Sequence, residues 1–251
     1  MNILKILKEL YTGKDNLIAQ ITIFALVGIM AIAFNEVVSV FTGNTLYAVF
    51  TVPSNNEVII FSMLGIMIFI FFTGYIYKFV HENYEFETAS LPSVSMNCFI
   101  TFVKIFPVML VWVIYLCVMG LLGLFLFGTT SIKFYVYLTF LLIILPFINM
   151  VFIKFSKDFK YSLRIFSPLI IAEFMKKAFM KVFLFMLQFV VLGLIISGIN
   201  VFLLKLSMEG QSRTVQLISV LTTICIISYA HQILNLAYYK GLTEIIKKNE
   251  V

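Results

Sequence analysis

Two long apolar runs joined by a short turn decide the fold of this chain. Residues 105–153 read IFPVMLVWVIYLCVMGLLGLFLFGTTSIKFYVYLTFLLIILPFINMVFI, in which Lys133 is the only charged side chain. A helix needs about 20 apolar residues to cross the roughly 30 Å hydrocarbon core of a bilayer. Segments 105–127 and 134–153 meet that length, and GTTS at 128–131 forms a turn between them. The stretch therefore predicts a hairpin of two transmembrane helices.

The rest of the chain repeats this pattern. Further apolar runs of similar length occupy residues 17–41, 58–80, 182–206 and 214–239. Of the 251 residues, 62% are hydrophobic and 12% are charged, whereas a soluble domain has about 25% charged residues. A water-soluble fold could not bury so much apolar surface. We therefore expect an all-α polytopic membrane helix bundle with six transmembrane helices, in a single domain over residues 1–251.

The basic residues fall mainly on one side of the six predicted spans. That side has fifteen of the 18 Lys and Arg residues, namely Lys5, Lys8, Lys14, Lys78, Lys104, Lys154, Lys157, Lys160, Arg164, Lys176, Lys177, Lys181, Lys240, Lys247 and Lys248. The opposite side has only Lys133, Lys205 and Arg213. Cytoplasmic loops of membrane proteins carry an excess of Lys and Arg. The distribution predicts a multi-pass protein of the cell membrane with both termini in the cytoplasm.

Two segments on the basic side have helical amphipathic patterns. Residues 2–11 and 168–181 each place apolar side chains on one face: Ile3, Leu4, Leu7, Leu10 and Tyr11 in the first, and Ile171, Phe174, Met175, Ala178 and Phe179 in the second. Amphipathic helices with basic polar faces often lie in the plane of the lipid headgroups. We expect interfacial amphipathic helices at both places, each preceding a transmembrane helix.

Short motifs recur along the chain in one register. The pattern F-x-K-[IV]-F-x-x-M-L occurs at 102–110 and again at 179–187, and Lys78, Lys154 and Lys240 each follow an apolar run. This self-similarity predicts a three-unit internal repeat with units 1–80, 81–155 and 156–251. The alternative is that a common membrane-entry pattern, an aromatic residue followed by Lys, recurs without common descent.

Several of these motifs resemble a known family. GYIYK at 74–78 followed by Leu91-Pro92, the basic segment after the fourth span, and NLAYYKG at 235–241 are similar to the domain of unknown function (DUF) 4013 family of prokaryotic multispan membrane proteins. The resemblance covers about residues 60–250. Family members tend to have acidic and Trp positions after the Leu-Pro, whereas SVS at 93–95 stands there in this chain. The resemblance implies a multispan bundle, and it lends no catalytic residue.

Polar side chains within apolar spans are candidate functional residues, because they are costly in hydrocarbon. Six of them fall at similar depths near the basic side: Gln20, Asn149, Gln188, His231, Gln232 and Asn235. They would line a vestibule open to the cytoplasm or hydrogen-bond the helices together. Asn35 and Glu36 form a second candidate, in the outer half of the first span. Glu36 would bind a cation or a proton, or simply reach water at the outer boundary.

Charged residues at the predicted cytoplasmic surface form two further groups. Seven cations between residues 154 and 181 predict binding of anionic lipid headgroups: Lys154, Lys157, Lys160, Arg164, Lys176, Lys177 and Lys181. His81, Glu82, Glu85 and Glu87 follow the second span. They would bind a cation or a partner, or form a solvated elbow.

Motifs of catalytic chemistry are missing from the sequence. It has no HExxH, GxSxG, P-loop or CxxC motif, and Cys98, Cys117 and Cys225 are too far apart in sequence to suggest a disulfide framework or a thiolate metal site. The basic residues form no stripe of the kind that binds nucleic acid. We expect no catalytic, cofactor or metal site, and no nucleic-acid partner.

These observations favour a non-catalytic integral membrane component that docks protein partners or lipid within a membrane complex. The alternative is a transporter or permease subunit, similar to exporters that work with a separate ATPase. That alternative rests on the short amphipathic segment at 2–11 and on the loop between the second and third spans. An intramembrane enzyme is the third hypothesis.

Overall fold

The fold is all-helical throughout the described part of the chain. The computed structural model describes residues 3–12, 17–42, 55–84, 90–208 and 213–249, and for some residues of the helices it describes the backbone alone. In these ranges the chain forms seven α-helices and no strand: α1 (Ile3–Thr12), α2 (Leu17–Thr42), α3 (Asn55–Asn83), α4 (Asn97–Phe127), α5 (Ile132–Ser156), α6 (Leu169–Met208) and α7 (Arg213–Lys248). A short 3₁₀ turn at Leu163–Phe166 lies between α5 and α6.

The helices are long and apolar enough to form a multi-pass membrane protein. Each of α3 to α7 contains an apolar window sufficient to cross a bilayer, which gives five spans. A sixth is obtained when α1 and the first part of α2, whose axes meet at 104°, are taken together as one bent span. The prediction of an all-α polytopic membrane bundle is confirmed, with five to six spanning helices.

The helices are arranged in an inner and an outer set. The inner set is α3, α5 and α7, each of which contacts the other two. The outer helices lie in the gaps: α2 packs against α7 and α3, α4 against α3 and α5, and α6 against α5 and α7. Three parallel units related by an axis along the membrane normal would produce this arrangement. The repeat units 1–80, 81–155 and 156–251 nevertheless stay a prediction.

Burial is concentrated at one end of the bundle, which we call the packed end. It comprises residues 3–12, 72–84, 147–156 and 233–246, where most apolar side chains are buried. Away from it the outer helices are largely exposed, since only 11% of the most apolar window is buried in α4 and in α6. In a bilayer these exposed apolar side chains contact lipid, so most of the packing between helices of the chain occurs at the packed end. A close helix approach helps there: a Cβ atom at Gly74 in α3 would overlap the carbonyl oxygen of Cys98 in α4.

The two amphipathic segments differ from their predicted form. In α1 the buried residues are Ile3, Ile6 and Leu10, while Leu4 and Tyr11 are exposed. The buried face of α1 is therefore rotated relative to the predicted face. It packs against α7, which continues beyond its predicted span.

The second segment, 168–181, is the start of α6 and has no helix of its own. No Gly or Pro interrupts residues 169–192, so the helix continues into the apolar run. Its 40 residues extend about 60 Å at 1.5 Å per residue.

Candidate functional site

Three residues of the predicted inner cluster form hydrogen bonds between helices. The Gln20 side-chain amide of α2 donates to the Leu10 carbonyl of α1 at 2.7 Å. The Asn149 amide of α5 donates to the Tyr238 hydroxyl of α7 at 3.0 Å. The Gln188 side-chain oxygen of α6 accepts from the Ile3 backbone N–H at 3.5 Å. These are the contacts expected of residues that hold helices together.

The other three residues of that cluster lie on α7 and are less enclosed. His231 is exposed, and its Nδ1 lies 2.9 Å from the Ile227 carbonyl of the same helix. Gln232 and Asn235 are half-buried. The six residues therefore do not form one cluster. Three of them bond to a neighbouring helix, and the other three lie on α7 at or near the surface.

Two other predicted groups are described only in part. Asn35 and Glu36 belong to α2, but their side chains lie outside the described part of the chain, as do Glu85 and Glu87. Glu82 pairs with Lys78 at 3.6 Å. His81 Nδ1 lies 2.9 Å from the carbonyl oxygens of Ser156 and Lys157, so it connects α3 to the end of α5.

A buried lysine organises the loop between α3 and α4. The Lys78 ammonium donates to the Ser93 carbonyl at 2.7 Å, to the Ser93 hydroxyl at 3.3 Å and to the Ser95 hydroxyl at 3.2 Å. The sequence marked Lys78 only as the end of a span. Its recurrence in register with Lys154 and Lys240 was the available signal for a structural role.

A second buried lysine forms a hydrogen bond between helices at the same end. The Lys240 ammonium of α7 donates to the Asn83 carbonyl at 3.0 Å. The Asn83 side chain in turn accepts from the Ser90 N–H and donates to the Ser90 carbonyl, both at 2.7 Å. Lys240 and Asn83 thereby join α7 to the end of α3 and to the loop that follows.

Aromatic side chains form further polar contacts between elements of the bundle. The hydroxyls of Tyr77 and Tyr239 lie 3.3 Å apart between α3 and α7. The Trp112 indole N–H donates to the Ile165 carbonyl at 3.1 Å and fixes the 3₁₀ turn against α4. Sequence reasoning identified none of these bonds, because their partners are far apart along the chain.

The predicted headgroup residues form a basic surface beside α5 and α6. Lys154 interacts electrostatically with Lys157, Arg164, Lys177 and Glu173, and its ammonium lies 5.6 Å from the centre of the Phe174 ring. The single carboxylate of this group, Glu173, is hydrogen-bonded to Arg164. Of the four charged residues that interact electrostatically with Lys154, three are cations and one is a carboxylate.

The remaining predicted headgroup residues are more dispersed. Lys160 pairs loosely with Asp158 at 4.0 Å, and Lys176 is exposed on α6. Lys181 donates to the Asn249 side chain at 2.6 Å, next to the end of α7. Lys181 is thus separated from the Lys154 group by its contact with another helix.

Two concave surfaces border α6. An apolar groove of about 200 Å³ lies between α5 and α6, with Pro146, Phe147, Phe179 and Phe183 among its lining residues. A cavity of about 290 Å³ lies between α6 and α7 and has both polar and apolar walls. In the described ranges no three His, Cys, Asp or Glu side chains are arranged to hold a metal ion.

Comparison with protein-family models, with curated proteins and with solved structures gives no match to this chain. The resemblance of residues 74–78, 91–92 and 235–241 to the DUF4013 family stays a prediction.

Proposed function

We propose that this chain is a non-catalytic component of the cell membrane whose packed end faces the cytoplasm and docks anionic lipid and protein partners. The observation that carries the proposal is that the polar groups at that end are of two kinds: some are bonded within the bundle, and others form a basic surface. Amides and buried lysines there bond to neighbouring helices or loops, whereas Lys154 has mainly cations as its electrostatic neighbours, three against one carboxylate.

The bonded groups support a rigid scaffold. Gln20, Asn149 and Gln188 each have a partner on another helix, and such interhelical bonds in membranes contribute about 0.6 kcal/mol each. A transporter needs polar groups that face a shared aqueous path. The described members of the inner cluster are instead distributed among separate contacts, which favours the scaffold over the permease alternative.

The basic surface supports lipid docking. A Lys or Arg residue near an anionic leaflet contributes roughly 1 kcal/mol to attraction, and the attraction weakens with salt. The helices bring Lys154 to the same end as α1, where Lys78 and Lys240 are buried. The excess of basic residues at this end also favours its placement in the cytoplasm.

Purification in mild detergent tests the docking proposal. We expect the wild-type protein to retain anionic phospholipid and one or more protein partners, identified by mass spectrometry. Substitution of Lys154, Lys157 and Arg164 by Ala should reduce the bound anionic lipid, and the control K133A/K205A should not. Equal lipid retention by both variants would contradict the role of the basic surface. A stoichiometric ATPase partner with ATP-driven transport would favour the permease instead.

Thiol labelling tests the orientation. In a variant lacking the three native cysteines, K160C should react with a membrane-impermeant maleimide only after the cells are opened. T130C, in the turn between α4 and α5, should react in intact cells. The reverse pattern would place the packed end outside and refute the proposed topology.

A further inference from the structure

The cavity between α6 and α7 combines cationic, amide and apolar walls in a volume of about 290 Å³. Its lining residues are Lys181, Leu184, Phe185 and Gln188 from α6, and Ile245 and Lys248 from α7. The spacing of the four α6 residues puts them on one helix face about 10 Å long. Two ammonium groups, one carboxamide and three apolar side chains therefore surround the same space.

The polar contacts at the edge of this cavity leave capacity for a ligand. Lys181 is held towards α7 by its bond to the Asn249 side chain at 2.6 Å, and an ammonium has three N–H donors in all. The Gln188 oxygen accepts from the Ile3 backbone, while its amide nitrogen has two donors of its own. Both side chains can therefore bind an acceptor in addition to their protein partners.

The wall chemistry narrows the class of ligand. A water molecule occupies about 30 Å³ of liquid volume, so the cavity is several times larger than a small ion requires. An inorganic anion would match the lysines but would leave the exposed Leu184 side chain facing water. A neutral hydrocarbon would match Leu184 and desolvate the ammonium groups at a cost. An anionic amphiphile matches both kinds of wall.

We infer that this cavity is a binding site for one anionic phospholipid. Its phosphate binds Lys181 and Lys248, its ester region binds Gln188, and the start of an acyl chain lies along the exposed Leu184 side chain. The inference rests on the proposed function only in placing this end in the headgroup layer. It assigns a discrete site, distinct from the diffuse attraction of the Lys154 surface.

Native mass spectrometry of the full chain in detergent tests the site. The protein is titrated with phosphatidylglycerol, with phosphatidylcholine, and with inorganic phosphate as separate probes. We expect the first phosphatidylglycerol to bind more tightly than later ones and more tightly than phosphatidylcholine. K181A/K248A should weaken that first binding about 25-fold, roughly fivefold for each lysine. K181R/K248R, which keeps both charges, should restore most of it and excludes a simple folding defect.

A matched control separates this inference from the proposed function. K5A/K8A removes the same charge from two exposed lysines of α1, at the same end but outside the cavity and the Lys154 surface, and we expect it to leave the affinity for the first lipid unchanged. If it weakens the first binding as much as K181A/K248A does, attraction is diffuse: the site is refuted and the docking proposal stands. Unchanged affinity in K181A/K248A, or tight binding of inorganic phosphate alone, also refutes the lipid site. If no variant and no probe reveals any preference for anionic lipid, both the lipid site in the cavity and the proposed lipid docking are refuted.

Discussion

Replacing Lys78 by Met tests whether the buried ammonium holds the packed end together. Met has a similar unbranched stem, so the change removes the charge and its hydrogen bonds and retains most of the volume. In the native protein the residue is 7% exposed and binds three oxygen atoms of Ser93 and Ser95. The variant leaves the Ser93 carbonyl and both hydroxyls without this donor.

The expected cost follows from the geometry. The bond to the Ser93 carbonyl, at 2.7 Å, is the shortest of the three and involves a charged donor. Such a bond contributes about 1.5–3 kcal/mol to stability. The two hydroxyl contacts, at 3.3 and 3.2 Å, are longer, and desolvation of the ammonium offsets part of their gain. We therefore expect K78M to lower the free energy of unfolding by about 2 kcal/mol.

An SDS titration of the purified protein measures this loss. Far-UV circular dichroism follows the helices, and fluorescence of Trp112, the single tryptophan, follows the contact between α4 and the 3₁₀ turn, where its indole is buried. A double-mutant cycle with S95A isolates the pair, and a coupling of about 0.5–1 kcal/mol is expected. A K78M protein as stable as the wild type, with no coupling to S95A, would refute the structural role of the lysine.

Three further predictions concern the contacts between helices, each measured by the same titration. N149A and Y238F should each destabilise by about 0.6 kcal/mol and show coupling in the double variant; additive effects would contradict their hydrogen bond. G74A should cost about 1–3 kcal/mol because its Cβ overlaps the α4 backbone, and an unchanged midpoint would contradict this close approach. L10A should cost about 2–5 kcal/mol, since this side chain is fully buried. The control L4A, exposed on the same helix, should cost little; equal losses would mean that α1 packs differently.

The sequence predicted the helical, multi-pass architecture because membrane insertion depends on local apolar length, although it divided α6 into two helices and gave six spans where the structure has five to six. The runs at 105–127 and 134–153 correspond closely to α4 and α5. Local periodicity also indicated that residues 2–11 form a helix with an apolar face. It could not indicate what covers that face, because the covering helix is α7 at the other end of the chain.

The candidate site was less predictable for the same reason. Depth along a span can be counted from the sequence, so Gln20, Asn149 and Gln188 could be assigned to different helices on the basic side. Direction around each helix was not determined, since every face of these spans is apolar. The pairing of Asn149 with Tyr238 across 89 positions, and of Lys78 with a loop, depends on the packing of the whole bundle.

The pairing of α1 with α6 and α7 constrains how the protein assembles. Ile3 and its acceptor Gln188 are 185 positions apart in sequence, and the α7 residues that cover α1 are synthesised later still. During translation Ile3, Ile6 and Leu10 of α1 therefore lack their packing partners on α6 and α7 while the intervening spans enter the bilayer. We expect closure of the bundle to be a late step, because contacts of such large sequence separation form slowly. Substitutions in α1 should accordingly slow maturation and increase degradation of newly made chains, while each span still inserts.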